Sequence, residues 1–341
     1  MFFNMDTSQS ETQSTQDILQ NVGCVIIGRN EGKRLQKAID SIPEKLLSRS
    51  IYVDSGSTDG SLDLAIRKGL HVIQLDSNLP FTAARARNTG AFELIKLCPH
   101  VEYIQFFDGD CLLEPQWLEM AIGYLKDHKQ VAIVCGQRKE LHPGRSIYNW
   151  LCDIEWDTPV GKADFCGGDF CIRTNSFKEI GGFNQSLIAG EEPDLCFRIR
   201  MMGESIYRIN HIMTWHDANI INLKQWYQRT KRAGYAYAEA VYRYIRHPQG
   251  YWRKELLSIL SWGMIFPITI IMGSISNPLY IALVLIYPLQ IIRISLKARL
   301  NKNRFIYGTF MMIAKFAQLH GVFRFFLVKF LKQRNRLIEY K

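Results

Sequence analysis

An α/β domain on a mainly parallel sheet, followed by helices that enter a membrane, is the architecture predicted by three features of this 341-residue chain. Short apolar runs alternate with helix-periodic segments through residues 22–210. One of those runs ends in an acidic pair, Asp108 and Asp110, with only Gly109 between them. The charge balance then inverts: residues 1–223 carry 22 Lys and Arg against 29 Asp and Glu, whereas residues 224–341 carry 20 against 3.

In chain order, residues 1–20 are rich in Ser, Thr and Gln and lack both a basic n-region and an apolar h-region. They are predicted to be a disordered polar tail and not a signal peptide. The sheet domain, residues 21–223, opens with the strand VGCVIIG and continues through the amphipathic helix KRLQKAIDSI and the strand SIYVD. The helix SLDLAIRKG follows, closed by Gly69 in the expected C-terminal position. Next come the strand LHVIQL, the helix TAARARNTGAFELIK and the strand YIQFF. After the acidic pair, Pro115 marks the start of a helix whose Leu118, Ala121, Ile122 and Leu125 share one face.

The acidic pair therefore falls on a strand-to-helix turn. In open α/β sheets ligands gather outside the carboxyl ends of the strands, where Asn30, Asp54 and Asp108 all fall. No GxGxxG follows the first strand, which removes the main support for dinucleotide binding. At about 4 Å two carboxylates repel by roughly 4 kcal/mol if the effective dielectric is about 20. A divalent cation reverses that sign, and oxygen ligands with a diphosphate suit Mg²⁺ or Mn²⁺. A solvated turn is the plain alternative for the same three residues. The eight cysteines are scattered singly without a CxxC pair, so they are predicted to be reduced, buried thiols.

Residues 224–254 read as a basic amphipathic linker, 255–300 as a membrane hairpin, and 301–341 as a basic interfacial or transmembrane helix. No charge interrupts Leu256 to Ile292, a run of 37 residues that suits one long helix or two short ones around SISNP. Arg253 and Lys254 precede the run, and Arg293, Lys297, Arg299, Lys302 and Arg304 follow it. The positive-inside rule then puts both ends on the cytoplasmic face. The apolar content of this basic region points to a membrane partner and away from nucleic acid.

The segments VIIGRNEGKRL, VDSGSTDGS, ARARNTGA, FFDGDCLLEP and GGDFCIRTNSFKEIGGFNQSLIAGEEPDLCFRI resemble, in that order and spacing, the family 2 glycosyltransferases of the GT-A fold, over about residues 22–232. The resemblance implies inverting transfer of a sugar from a nucleotide sugar, with Mg²⁺ or Mn²⁺ on a DxD that is here Asp108 and Asp110. His216 corresponds to a place where some type A enzymes supply a third metal ligand. Asp54 would contact the base or ribose, with Asn30 and Glu31 nearby, although Ser55 stands where the family often has a second acid. Arg87 and Asn88 match a stretch near the donor, and Gly168 and Asp169 would approach the donor sugar. The family's Glu-Asp pair is here Glu191 and Glu192, which makes Glu192 the aligned general base, one methylene longer than usual, with Glu191 as the other candidate. Pro193 is predicted as the first residue of the helix that follows. Arg229 and Arg232, with Lys231 between them, are placed either to close over the diphosphate or to face anionic lipid.

The implied activity is addition of one sugar to a lipid-linked glycan or cell-surface polysaccharide precursor, at the inner membrane or another membrane with the sheet domain cytoplasmic. No QxxRW motif of processive synthases is present. A polyprenyl-phosphate glycosyltransferase is the nearest alternative; a sugar nucleotidyltransferase and a non-catalytic membrane scaffold are alternatives of a different class.

Overall fold

A computed structural model of the chain describes residues 18–298, 300 and 302–331. The predicted polar tail up to residue 17, Arg299, Asn301 and the last ten residues lie outside the described ones. The chain divides into two compact units, residues 1–187 with 191–219, and residues 188–190 with 220–341.

The first unit is a mixed α/β sheet, nine-stranded among the described residues, with the order β3-β2-β1-β4-β8-β6-β9-β5 and β7 against β9. Its strands are β1 (Val22–Gly28), β2 (Ser50–Asp54), β3 (His71–Gln74), β4 (Tyr103–Asp108), β5 (Cys111–Leu113), β6 (Val131–Glu140), β7 (Gly161–Ala163), β8 (Phe170–Arg173) and β9 (Ser205–His216). The helices between them are α1 (Lys33–Asp40), α2 (Ser61–Arg67), α3 (Ala83–Leu97), α4 (Trp117–Asp127), α5 (Ile147–Trp156), α6 (Thr174–Glu179) and α7 (Glu191–Met201). The first four strands in the sheet order run parallel, β8 is antiparallel to both β4 and β6, and β9 is parallel to β6.

The near-continuous apolar runs of β1 and β4 follow from burial on both faces, as parallel strands require. Register then sets the rim: Ile27 pairs with Asp108, and Gly28 with Asp54. α3 begins at Thr82, whose hydroxyl accepts from the Arg85 N–H. It rests on the sheet at Gly90, where a Cβ would lie 2.6 Å from Val25 and 2.9 Å from Val53. That close approach holds the N-terminal turns of α3, with Arg87 and Asn88, against the sheet. Phe106 packs against Phe170, Phe177 and Phe183 at centroid distances of 5.2, 5.5 and 5.5 Å, which fixes the Gly181–Phe183 turn to the sheet.

Irregularity in β6 also has a use. Its pairing with β9 shifts register between Cys135 and Gln137 and again between Gln137 and Arg138. Gly136 lies there because a Cβ would stand 2.6 Å from the His211 carbonyl and 2.7 Å from the Trp117 ring. A bulge of this kind re-aims the next side chain, and here the next charged one is Arg138.

The second unit is helical. α8 (Leu223–Arg243) opens with a capping box in which Asn222 and Gln225 exchange hydrogen bonds. α9 (Arg253–Leu260) passes through a π-helical turn, Ser261–Ile265, into α10 (Phe266–Ser276). Pro267 has no N–H to give the preceding turn, and the wider π register accommodates the loss. A 3₁₀ segment, Pro278–Leu285, leads into α11 (Ile286–Lys297), and α12 (Arg304–Phe330) completes the unit. Among the described residues three stretches are long and apolar enough to cross a membrane: Arg253–Ser276, Pro278–Lys297 and Arg304–Phe330. The uncharged run thus contains a break at Asn277, whose side chain caps the following segment.

Candidate active site

At the carboxyl ends of β1, β2 and β4 the first loop, after β1, carries Asn30 in a left-handed conformation, φ 56°. Its side-chain Oδ1 accepts from the Thr58 N–H at 2.8 Å and its backbone N–H donates to Ser57 Oγ at 2.9 Å. Glu31 pairs with Arg34 at 2.8 Å, and its Cγ lies 3.3 Å from where a Cβ on Gly109 would stand. Asn30 and Glu31 therefore border the acidic turn.

Asp54 ends β2 on the same rim. It is fully buried; Oδ1 accepts from Tyr52 Oη at 3.1 Å, and Oδ2 accepts from the N–H groups of Gly56 and Ser57 at 2.9 and 2.8 Å. That carboxylate shapes the loop. The Asn88 amide clasps Phe183 from both sides, Nδ2 to the carbonyl and Oδ1 from the N–H, each at 2.8 Å.

Arg87 is the centre of the arrangement. Only 3% exposed, it donates Nη1 to Glu191 and Nη2 to Asp108, each at 2.8 Å, with its guanidinium over the Phe183 ring. Burial alone would lower its pKa, but Asp108 and Glu191 outweigh that and raise it. Gly168 lies against the same group: a Cβ there would stand 2.9 Å from Arg87 Nη2 and 3.3 Å from Asp108 Oδ2. One cation thus ties the acidic turn after β4 to the start of α7.

Beside it, Asp110 Oδ2 lies 3.3 Å from His216 Nε2. The antiparallel register of β5 on β9 sets this contact, since Cys111 pairs with His216. Burial and the Arg138 guanidinium push the His216 pKa down to about 4, so the ring is neutral near pH 7. Its Nδ1 is buried without a hydrogen bond, and Trp156 meets the ring edge-on at 4.6 Å. Ligating atoms of Asp110, Cys111 and His216 all lie within 4.8 Å of one another. A neutral imidazole with a spare lone pair beside a carboxylate fits a divalent cation. Of the expected ligands Asp110 and His216 lie together with the Cys111 thiol, and Asp108 is engaged by Arg87. Cys111 escaped notice because a single Cys in an apolar strand reads as core.

Arg138 and Asp169 flank this cluster. Asp169 is fully buried; its Oδ2 forms an ion pair with Arg138 Nη2 at 2.8 Å and accepts from Thr214 Oγ1 at 2.7 Å. Burial would raise its pKa, but Arg138 and Thr214 outweigh that and hold it below the ordinary range. Asp169 thus anchors Arg138. Arg138 was missed in the sequence; its only signal was a cation inside the apolar β6.

Of the two glutamates, Glu191 belongs to the Arg87 bridge. Glu192, 7% exposed, turns toward buried thiols: its Oε1 accepts from the Cys166 N–H at 2.7 Å, from Cys166 Sγ at 3.1 Å and from Cys196 Sγ at 3.0 Å. Burial raises its pKa above 4.5, partly offset by those donors. The helix begins at Glu191 and not at Pro193, which puts both acids in its first turn, where the dipole favours carboxylates. Arg229 and Arg232 lie on α8 of the second unit, where Arg232 donates to the Ile188 carbonyl at 3.2 Å.

The sequence profile of the Glycosyl transferase family 2 matches residues 24–180. These residues form a family 2 glycosyltransferase domain. Among curated relatives, human polypeptide N-acetylgalactosaminyltransferase 13 is 25% identical over 235 residues, 58% of this chain and 41% of its own length. The pre-mycofactocin glycosyltransferase of Mycobacterium tuberculosis is 25% identical over 241 residues, 67% of this chain and 48% of its own. The chain therefore spans less than half the length of the curated relatives it matches. A solved mannosyltransferase, PcManGT from Pyrobaculum calidifontis, in complex with GDP-Man and Mn²⁺, superposes with a TM-score of 0.56 at 15% identity, covering 94% of this chain and 95% of that one. The fold is a GT-A-like mixed sheet followed by three apolar helices that are long enough to span a bilayer.

Proposed function

We propose that the chain is a membrane-attached, metal-dependent inverting glycosyltransferase that moves one sugar from a nucleotide-diphosphate sugar to a hydroxyl of a lipid-linked glycan or cell-surface polysaccharide precursor. The observation that carries this reading is the bridge from Asp108 through Arg87 to Glu191. It holds the acidic turn beside the α7 carboxylates on the rim of a domain whose relatives are named as glycosyltransferases.

In this reading Asp110 and His216, with Asp108 and Cys111 adjoining, hold Mg²⁺ or Mn²⁺. When bound, such an ion neutralises charge on a departing diphosphate. The loop carrying Asn30 and Glu31 and the turn shaped by Asp54 border the nucleoside, and Gly168 lets backbone approach the sugar. Arg87 holds the Asp108 and Glu191 side chains in place. Glu192 takes the proton from the acceptor hydroxyl, and its raised pKa makes it a stronger base than an exposed glutamate. Basic residues on both sides of the Leu256–Ile292 run favour attachment from the cytoplasmic face.

Incubating the full chain with a panel of nucleotide sugars, with and without Mn²⁺, tests this. A metal-dependent rise in melting temperature with at least one donor is expected. Absence of any donor-dependent shift across the panel overturns the donor-site reading.

A further inference from the structure

Within the sheet unit, two thiols converge on one carboxylate. Cys196 follows Glu192 by four positions, so the two side chains share a face of α7. Cys166 reaches the same place from the segment between β7 and β8. Glu192 Oε1 lies 3.1 Å from Cys166 Sγ and 3.0 Å from Cys196 Sγ, and the two sulfurs are 3.4 Å apart. None of the three belongs to the cluster of Asp110, Cys111 and His216.

Three ligand atoms at these separations form a nearly equilateral triangle. A point about 1.4 Å off its plane lies about 2.3 Å from every corner, which is the length of a Zn–S bond and slightly more than that of a Zn–O bond. The set thus matches one ion without rearrangement, and the fourth tetrahedral position points away from the triangle. A disulfide demands more, because the sulfurs would have to close from 3.4 Å to about 2.05 Å. Two sulfurs also select a thiophilic ion over Mg²⁺ or Mn²⁺, which prefer all-oxygen sites.

Charge and access agree with this. Two thiolates and a carboxylate around a dication leave one net negative charge, and a guanidinium adjoins it: Arg208 Nη2 donates to the carbonyl of Phe165, the residue before Cys166, at 3.0 Å. Burial raises the pKa of both thiols, that of Cys196 to about 11, so an incoming ion displaces two protons to solvent. Cys166 and Glu192 keep 5% and 7% exposure, and the next residues in the chain, Gly167 and Gly168, are half-buried and carry no side chain to close the approach.

We propose that Cys166, Cys196 and Glu192 form a binding site for a thiophilic divalent cation of the Zn²⁺ class, separate from the acidic cluster, with water as the fourth ligand. An ion held there occupies the carboxylate that takes the acceptor proton, so Zn²⁺ is a brake on sugar transfer. That consequence rests on the reading of Glu192 as the base, whereas the site does not.

The test titrates reduced, metal-stripped full-length protein with Co²⁺, whose thiolate complexes show a sulfur-to-metal charge-transfer band. A band that Zn²⁺ displaces is expected in wild type, and Asp110→Asn, which disables the acidic cluster, should retain it. Cys166→Ser and Cys196→Ser, made alone and on Asp110→Asn, should each weaken Co²⁺ binding about tenfold or more. Melting temperatures check folding. Absence of the band, its loss in Asp110→Asn alone, or equal bands with and without the serine substitutions overturns the site. So does a Cys166–Cys196 disulfide, formed on exposure to glutathione disulfide, in protein that gives no band with Co²⁺ when reduced. Zn²⁺ added over saturating Mn²⁺ should inhibit transfer by wild type and spare Cys196→Ser. A band without inhibition would uphold the site and take the role of base from Glu192.

Discussion

Arg87 and Asp108 face each other across 21 positions of sequence, joined by a 2.8 Å hydrogen bond between a guanidinium that is 3% exposed and a carboxylate that is 30% exposed. The pair fixes the side chain that opens the acidic turn, and the second arm of Arg87 fixes Glu191 in the same act.

Removing that cation leaves two carboxylates beside each other. Arg87→Met is therefore expected to lose about 3–5 kcal/mol of stability, the usual effect of breaking a buried pair from one side, together with nearly all sugar transfer. Arg87→Lys, which cannot reach both acids with a rigid fork, should recover part of the stability and little of the rate. Urea denaturation and transfer assays on both variants check this; a lysine variant as active as wild type would count against the bridge.

Asp110→Asn and His216→Gln should each abolish stabilisation by Mn²⁺ and reduce transfer by about a hundredfold or more, with little effect on fold. Treatment with a chelator should silence wild-type protein and added Mn²⁺ should restore it. Calorimetric titration with Mn²⁺ reads the site directly, and undiminished Mn²⁺ affinity in both variants would remove these residues from the metal site.

Glu192 gives a pH signature. Its folded pKa lies above 4.5 because burial disfavours the charged form, so the folded state holds the proton more tightly than the unfolded chain. The resulting stability is fully present below 4.5 and is lost as pH rises through the folded value. Glu192→Gln should flatten that dependence and leave the neutral-pH protein at least as stable. If Glu192 is the base, the acid limb of kcat/KM sits above 4.5 and vanishes in the variant. Survival of that limb, with the rate lost only in Glu191→Gln, would move the role to Glu191.

Gly168→Ala puts a methyl 2.9 Å from Arg87 Nη2 and 3.3 Å from Asp108 Oδ2. The variant should fold, with a loss of roughly 1–3 kcal/mol from overpacking, and bind donor more weakly because the bridge is displaced. Donor titration by melting temperature measures this, and unchanged affinity would take Gly168 out of the sugar site.

The sheet was readable from the chain because apolar runs and their punctuation report burial locally; β1, β2 and β4 fall where VGCVIIG, SIYVD and YIQFF stand. The acidic turn was readable for a similar reason, since DGD after an apolar strand conflicts with burial unless something neutralises it. What could not be read was which polar groups spend themselves on the protein. Nothing around Asn88 shows that Phe183, 95 positions away, takes both ends of its amide. Asp54 is likewise held by Tyr52 and by the N–H groups of its own turn. Arg138 and Cys111 acquire meaning only from the β6 bulge and from the β5–β9 register, neither of which has a local sequence signature.

The long final strand has a consequence for biosynthesis. Because His216 reaches Asp110 only through β9 pairing with β5, the cluster joins positions about a hundred residues apart. A ribosome must release nearly the whole sheet unit before the cluster closes, and by then the apolar helices are the next segments to emerge. On the proposed function, the nascent enzyme thus stays idle until it is about to be delivered to the bilayer.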